Sequence, residues 1–364
     1  MHRILVTGGC GFIGRHVVED LREQGYAVRV LDSLVEQVHG DGAIMPEGAE
    51  LRRGDVRDPE AVAAALEDVD AVIHLAAEVG VGQSMYEIAR YVGANDLGTA
   101  VLFQELIDGP VRRVVVASSM SIYGEGLYAT RDGRRVEGAR RRPGEGGWDP
   151  LDEQGRSLTP VPTDEAKRVD LASVYALSKY VQEQMTLLVA EAYRMEAVAL
   201  RLFNVFGPGQ ALSNPYTGVL AIFTGRLLNG EPPLVFEDGR QRRDFVHVDD
   251  VADAFLLAME TPGISGEAFN IGSGRSYAIG DIARMAAAAM GRPDLEPVIL
   301  EKTRAGDIRH CFADISKAQQ YLGFAPRHTL EASLDELVAW VRRQRSEGHV
   351  RDAHGELAAR GLVA

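Results

Sequence analysis

Along its first two hundred positions the chain alternates short aliphatic runs with stretches whose apolar residues recur every three or four places. Ile4-Leu5-Val6 is an unbroken apolar run, and such a run bounded by turn residues predicts a strand buried on both faces. Ile13, Val17 and Leu21 follow at i, i+4 and i+8, one face of a helix, with Gly25 placed to end it. Val28-Arg29-Val30-Leu31 closes on Asp32 as a second strand. Ala71-Val72-Ile73-His74-Leu75, Val114-Val115-Val116-Ala117 and Val198-Ala199-Leu200-Arg201-Leu202-Phe203 continue the series. Strands spaced by amphipathic helices predict βαβ units, and so an α/β fold with helices on both faces of a parallel sheet.

The pattern breaks between Gly124 and Leu171. Arg131, Arg134, Arg135, Arg140, Arg141 and Arg142 crowd there ahead of Pro143-Gly144-Glu145-Gly146-Gly147, and neither period survives. From about Gly207, proline-rich turns at Pro208, Pro215 and Pro232-Pro233 precede further helical stretches. The reading is a first domain over 1–204, interrupted by an irregular insertion at 124–171. A smaller α/β domain over 205–345 follows, with some segments returning to the first, and 346–364 form a peripheral polar tail.

At 364 residues, 46% hydrophobic and 25% charged, the chain is able to bury a sizeable core. Its formal net charge of -14 argues against a nucleic-acid partner, since counterion release needs a basic face. An anionic small molecule is still compatible where a few arginines converge. Two cysteines, Cys10 and Cys311, and nine histidines show no metal-ligand spacing, so neither a disulfide framework nor a metal is expected. The first apolar stretch is too short for a signal segment, and no run reaches the length of a membrane span. A soluble, cytoplasmic protein is expected.

Chemistry enters at Gly8-Gly9-Cys10-Gly11-Phe12-Ile13-Gly14, between the first strand and the first helix. Glycines there let the backbone turn tightly and approach a pyrophosphate resting on the helix's N-terminal amides. Asp32, 24 positions beyond Gly8 at the end of the second strand, is placed to accept from both hydroxyls of an adenosine ribose and to repel a 2′-phosphate. Ser33 and Leu34 follow it rather than arginine. The motif therefore predicts NAD rather than NADP, on a Rossmann-type doubly wound sheet. Tyr175-Ala176-Leu177-Ser178-Lys179 sets a phenol and an ammonium at i and i+4 of a helix. A neighbouring cation favours the phenolate and draws a pKa of ~10 toward neutrality. Tyr-x-x-x-Lys alone is common; its place after the glycine loop, Asp32 and Ser118-Ser119 gives it weight.

In this order the chain carries Thr7-Gly8-Gly9-x-Gly11-x-x-Gly14, Asp55-Val56, Leu75-Ala76-Ala77, Asn95, Ser118-Ser119 and Tyr175-x-x-x-Lys179. Arg201-Leu202-Phe203-Asn204, Gly207-Pro208, Arg243-Asp244-Phe245-Val246-His247-Val248-Asp249-Asp250 and Gly306-Asp307 follow. To about residue 340 it thereby resembles the extended short-chain dehydrogenases known as nucleotide-sugar epimerases and dehydratases. The resemblance implies oxidation of a sugar carbon by bound NAD to a keto intermediate, then a second step. It implies that Tyr175 removes the hydroxyl proton, Ser119 hydrogen-bonds the same oxygen, and Lys179 holds the ribose and lowers the tyrosine's pKa. It implies that NAD meets Gly8, Gly11, Phe12, Ile13, Gly14, Asp32, Ser33, Asp55, Val56, Leu75, Ala76, Ala77, Val79, Asn95 and Phe203, with Tyr175 and Lys179. The nucleotide-sugar would meet Val81, Ser119, Ser121, Asn204, Val219, Arg243, Arg304, Asp307 and Cys311, the arginines gripping phosphate; Arg309 matches less firmly. The helices beginning near Asn95 and Tyr175 resemble the family's dimer-forming pair, which implies a homodimer.

The second step turns on the residues beside Ser119. In the family, dehydratases place an Asp-Glu pair there and UDP-glucuronate decarboxylases a glutamate two residues on, whereas this chain reads Ser119-Met120-Ser121. Without a positioned acid, the ~10²–10⁴-fold of general acid catalysis is missing. Hydride return to the other face of the keto-sugar, a 4-epimerisation, is the simpler course. Gln83-Ser84-Met85-Tyr86, Ser119-Met120-Ser121 and the segment 211–218 look most like the dTDP-L-rhamnose 4-epimerases. A UDP-glucuronate 4-epimerase is the nearest alternative, disfavoured by Gly82 where many such enzymes carry Arg; a dehydratase or decarboxylase on this scaffold is the next. Cys311, at the family's width-limiting position, is small enough for a wide sugar, or is simply a buried small side chain. The insertion reads as a solvated loop, with a flap over the active site, anchored by Trp148, as the sharper alternative. His74, His247 and His310 read as structural.

Overall fold

A computed structural model describes residues 2–39, 45–141, 147–210, 218–303 and 306–344. Its centre is a seven-stranded sheet of β1 (Arg3–Thr7), β2 (Ala27–Asp32), β3 (Glu50–Arg53), β4 (Ala71–His74), β5 (Arg113–Ser119), β6 (Glu196–Leu202) and β7 (Ala268–Ile271). Neighbours pair in parallel in the order β7-β6-β5-β4-β1-β2-β3. The order reverses between β1 and β4, and the crevice beyond the carboxyl ends of such strands is where this architecture binds ligands.

Seven helices matter for the site: α1 (Phe12–Glu23), α2 (Gly98–Leu106), α3 (Val174–Tyr193), α4 (Val219–Leu228), α5 (Val248–Glu260), α6 (Ile279–Ala289) and α7 (Leu330–Gln344). The apolar face read in α1 is the one that docks: Val17, Val18 and Leu21 pack with Val251, Ala254 and Phe255 of α5 over one face of the sheet. Leu102, Phe103 and Leu106 of α2 cover the other face with Val62, Leu66 and Ala190. Each such side chain contributes about 1.5–3 kcal/mol by leaving water, so the strands are pinned between two dry layers. A second core joins α4, α6 and α7 through Phe223, Leu227, Ile282, Ala286, Leu334 and Val338.

Two strands escape the aliphatic pattern. β3 is Glu50-Leu51-Arg52-Arg53, an edge strand with mostly exposed residues, and charge is what a sheet edge tolerates. β7 comes from the distant C-terminal half and pairs Phe269 with Leu200 of β6. The insertion also differs from the irregular segment expected. Its described residues build a three-stranded antiparallel sheet from Arg135–Val136, Leu127–Ala129 and Thr159–Val161. Strands of two and three residues are too short to show a period of two. Tyr128 is fully buried there, its hydroxyl donating to Glu125 at 2.8 Å.

Candidate active site

A single cleft of about 1410 Å³ runs past the carboxyl ends of β1, β2, β4, β5 and β6. Its floor depends on the glycine motif. Gly8 has φ +71°, and a Cβ there would lie 2.8 Å from the Ala76 nitrogen. A Cβ on Gly14 would sit 2.3 Å from the Gly8 oxygen, so the turn and the helix close only without side chains. Gly11 caps α1 with no side-chain hydrogen bond, leaving the helix's first amides for an anion.

Asp32 stands at the end of β2, where its carboxylate accepts from the backbone N–H groups of Cys10 and Leu34, both at 2.9 Å. Burial raises its pKa, but hydrogen bonds from His39, Leu34 and Cys10 together outweigh burial and hold it below the usual carboxylate range. It is thus an ionised acceptor suited to ribose hydroxyls and repellent to phosphate. Asp32→Ser is expected to shift the NADP-to-NAD affinity ratio upward by on the order of tenfold. Parallel titrations of the two dinucleotides measure it, and an unchanged ratio would remove Asp32 from cofactor choice. His39, which lines the cleft 3.5 Å from Asp32, went unread because nothing local in its short helix marks it.

Phe12, Ile13, Ser33, Asp55, Val56, Leu75, Ala76, Ala77, Val79 and Phe203 line the same cleft, as do Val81, Ser121, Asn204, Val219, Arg243 and Asp307. Two expected residues do not. Asn95 is fully buried in a π-helical segment (Val92–Leu97). Its Oδ1 accepts from the Glu78 N–H at 2.7 Å, and its Nδ2 donates to Ser178 Oγ at 2.8 Å. Its amide is spent tying α3 to the loop after β4. Cys311 packs among Met120, Ile122 and Tyr123, and burial pushes its thiol up to about 12; it is the buried small side chain, not a wall of the cleft. Arg304, segment 211–217 and the tail 346–364 lie outside the described residues. Ala172, Ser173, Ile222 and Gln241 line the cleft unpredicted, having no residue type that marks a site, and Met120 joins Ser121 there.

The catalytic candidates converge from β5 and α3. Ser119 ends β5, its Oγ donating to Ser121 Oγ at 3.0 Å and accepting from the Ser121 N–H at 3.2 Å. Ser173 caps α3 by accepting from the Ala176 N–H at 3.1 Å, and the Tyr175 N–H donates to Ser84 Oγ at 3.0 Å. These bonds fix the first turn and bring the Tyr175 hydroxyl close enough to Ser119 for that side chain to favour the phenolate. Lys179 follows one turn on, buried, with Nζ donating to Gln182 Oε1 at 2.7 Å. Gln182 donates in turn to Thr99 Oγ1 at 3.0 Å and lies 3.3 Å from His74 Nε2. Burial, then Lys179, push His74 down to about 3, which keeps it neutral and structural.

The phenol and the ammonium are both shifted, in opposite directions. Burial pushes Lys179 down to about 7, against the pull of Glu183. Burial also raises Tyr175, more than its bond to Ser119 lowers it. Among the described residues none supplies the net downward shift that the Tyr-x-x-x-Lys motif implies. A positive charge in the cleft, such as an oxidised nicotinamide ring, would favour the phenolate.

Beneath the pair lies a buried ionic network that no local sequence pattern marks as part of the site. Arg201 donates to both oxygens of Glu183, at 3.0 and 2.7 Å, and to the Tyr123 hydroxyl at 2.8 Å. Ser118 donates to Glu183 at 2.6 Å, and Tyr123 to Asn270 at 2.7 Å. Elsewhere, His247, Asp249 and His328 bring one ligand atom each within 4.8 Å of one another, a grouping that spacing along the chain conceals. None of the three lines the cleft. Asp249 is already engaged by His16 at 2.7 Å and His328 by Asp250 at 2.9 Å.

Residues 4–272 match the family described as "NAD dependent epimerase/dehydratase". The chain belongs to that family. It is an NAD-dependent epimerase on a Rossmann-type fold, and the glycine floor, the open α1 terminus and the ionised Asp32 fit that cofactor. It is 37% identical over 352 residues to a dTDP-L-rhamnose 4-epimerase of Burkholderia thailandensis, covering 94% of this chain and 95% of that protein. A UDP-glucose 4-epimerase of Thermotoga maritima, solved with UDP-glucose, is 33% identical with a TM-score of 0.77 and covers 94% of this chain and 99% of its own. A UDP-glucuronic acid 4-epimerase of Bacillus cereus, solved with UDP-glucuronic acid and NAD, is 26% identical with a TM-score of 0.75 over 94% and 99% of the two chains. Among the described residues no helix is long and apolar enough to cross a membrane.

Proposed function

We propose that this epimerase inverts C4 of a nucleotide-linked hexose and that its substrate is dTDP-L-rhamnose. The observation that carries the reaction type is the pair Met120 and Ser121, which follow Ser119 and line the cleft where a lyase on this scaffold needs a carboxyl group. The 37% likeness to a dTDP-L-rhamnose 4-epimerase supports the sugar. The cleft also exceeds the ~300–1,000 Å³ usual for one ligand, in keeping with a dinucleotide and a nucleotide-sugar side by side.

NAD, held over the glycine floor with Asp32 at its adenosine ribose, supplies the hydride acceptor and donor. The chain's own groups do the remainder. Tyr175 takes the proton of the C4 hydroxyl and later returns it to the epimeric oxygen, while Ser119 holds that oxygen by a hydrogen bond. Lys179, one turn on from Tyr175, orients the ribose. Arg243, held by the carbonyls of Ile308 and Arg309 at 2.6 and 2.9 Å, presents its guanidinium to the diphosphate. Asn204 and Asp307 complete the nucleotide-sugar contacts.

The assembly is a homodimer in this reading. Leu177 and Leu188 on α3, 46% and 62% exposed, and Val92 and Leu97 nearby, 39% and 52% exposed, give an apolar helical face that a second copy would cover. A cytoplasmic setting fits Cys10 and Cys311, both buried and unpaired.

Proton NMR time courses with dTDP-L-rhamnose, UDP-glucose, UDP-N-acetylglucosamine and UDP-glucuronate, each with NAD, test the proposal. A new anomeric signal at unchanged mass is expected with dTDP-L-rhamnose. Loss of water or carbon dioxide from any of the four would overturn the epimerase assignment, and turnover of another sugar alone would overturn the substrate.

A further inference from the structure

The structure assigns to the insertion a role other than loop or flap: we infer that it braces the strand that aims the phosphate-binding arginine. No described residue of the insertion lines the cleft. Three of its charged groups, Glu125, Arg141 and Asp149, turn instead onto the segment from Asp307 to Cys311. Arg309, 1% exposed, donates to Asp149 of the insertion at 2.7 Å, to Glu237 at 2.8 Å and to Asp238 at 2.6 and 3.0 Å. Glu125 accepts the backbone N–H groups of Arg309 and His310 at 2.6 and 3.3 Å. Arg141 pairs with Glu237 and donates to the Asp307 carbonyl at 2.6 Å.

The same short segment presents its other groups to the cleft. Asp307 and Ile308 line it, and the carbonyls of Ile308 and Arg309 accept from Arg243. Glu125, Arg141 and Asp149 thus grip from behind the very backbone that orients Arg243 from in front. A guanidinium taken wholly out of water is costly unless every donor finds a partner. All three Arg309 nitrogens have a carboxylate partner only with the insertion docked, because the partner of Nε–H is Asp149, which accepts from it. Asp149 and Arg141 are positioning residues, acting on the nucleotide-sugar through Arg243.

The kinetic part of this inference rests on the proposed nucleotide-sugar reaction, so the experiment carries a readout that does not. Asp149→Ala and Arg141→Ala would be made in the full chain with NAD, beside the conservative Arg141→Lys. Backbone amide exchange over 307–311 is expected to speed up by at least about tenfold in both alanine variants. KM for dTDP-L-rhamnose and Kd for dTDP are expected to rise about tenfold, the scale of one charge-assisted hydrogen bond. kcat should stay within about twofold and NAD affinity unchanged, with Arg141→Lys intermediate. Wild-type exchange rates in both alanine variants would overturn the brace whatever the substrate. Faster exchange with unaltered KM would overturn the link to Arg243. A wild-type protein that binds neither dTDP nor dTDP-L-rhamnose would overturn the proposed substrate, while exchange would still decide the brace.

Discussion

Tyr175→Phe is expected to lower turnover by about 10²–10⁴-fold, the contribution of one positioned general acid–base group, with NAD affinity retained. The hydroxyl lies beside Ser119 where β5 ends against the first turn of α3. The aromatic ring itself packs edge-on against Tyr91, with centroids 6.4 Å apart, and phenylalanine keeps that contact. The variant therefore removes a proton carrier and little else. Single-turnover kinetics with the nucleotide-sugar, alongside NAD titration, separate the two effects. A variant that still turned over within tenfold of the parent would move the base to another residue.

The largest stability effect is expected one layer below. Glu183→Ala should destabilise the fold by about 3–5 kcal/mol, the usual result of stripping one partner from a buried ion pair. Glu183 is fully buried, and Arg201 is 8% exposed. Removing the carboxylate leaves the guanidinium's bonds at 3.0 and 2.7 Å unmade and Ser118 without its acceptor. Ser118 adjoins Ser119, so the loss would be felt at the site as well as in the fold. Urea unfolding of the two proteins measures the difference. A change below ~1 kcal/mol would show that water or another acceptor replaces the carboxylate. Glu183→Gln, which keeps an acceptor for Ser118, should cost less.

The cofactor half of the site was legible in the sequence because its chemistry is local. A glycine turn, an acid at the next strand end and a Tyr–Lys pair at one helical spacing each declare themselves within a few residues. Gly8, Gly14, Asp32, Ser119, Tyr175 and Lys179 accordingly meet in one cleft. What escaped is held together across long separations. Glu183 and Arg201 belong to different elements, and Arg309 gathers Asp149, Glu237 and Asp238 from two other regions. No window along the chain contains such a cluster. At Asn95 and Cys311 the resemblance implied a ligand contact, and what no local pattern could show is that the Asn95 amide is hydrogen-bonded to Glu78 and Ser178 and that Cys311 packs in a buried cluster. The small sheet of the insertion was hidden by the brevity of its strands.

The pairing of β7 with β6 bears on how the chain is made. Leu200 pairs with Ala117 of β5 on one side and on the other only with Phe269, so β6 leaves the ribosome with one edge bare and stays so while the residues up to β7 are translated. A long aliphatic edge awaiting a late partner is the kind of surface on which nascent chains associate wrongly. The Rossmann sheet therefore finishes after, not before, the segment that starts the second core, and the two halves of the molecule mature together instead of in sequence. A fragment ending at the apparent domain boundary near residue 204 inherits that bare edge for good, and only a chain that runs through β7 pairs β6 on both sides.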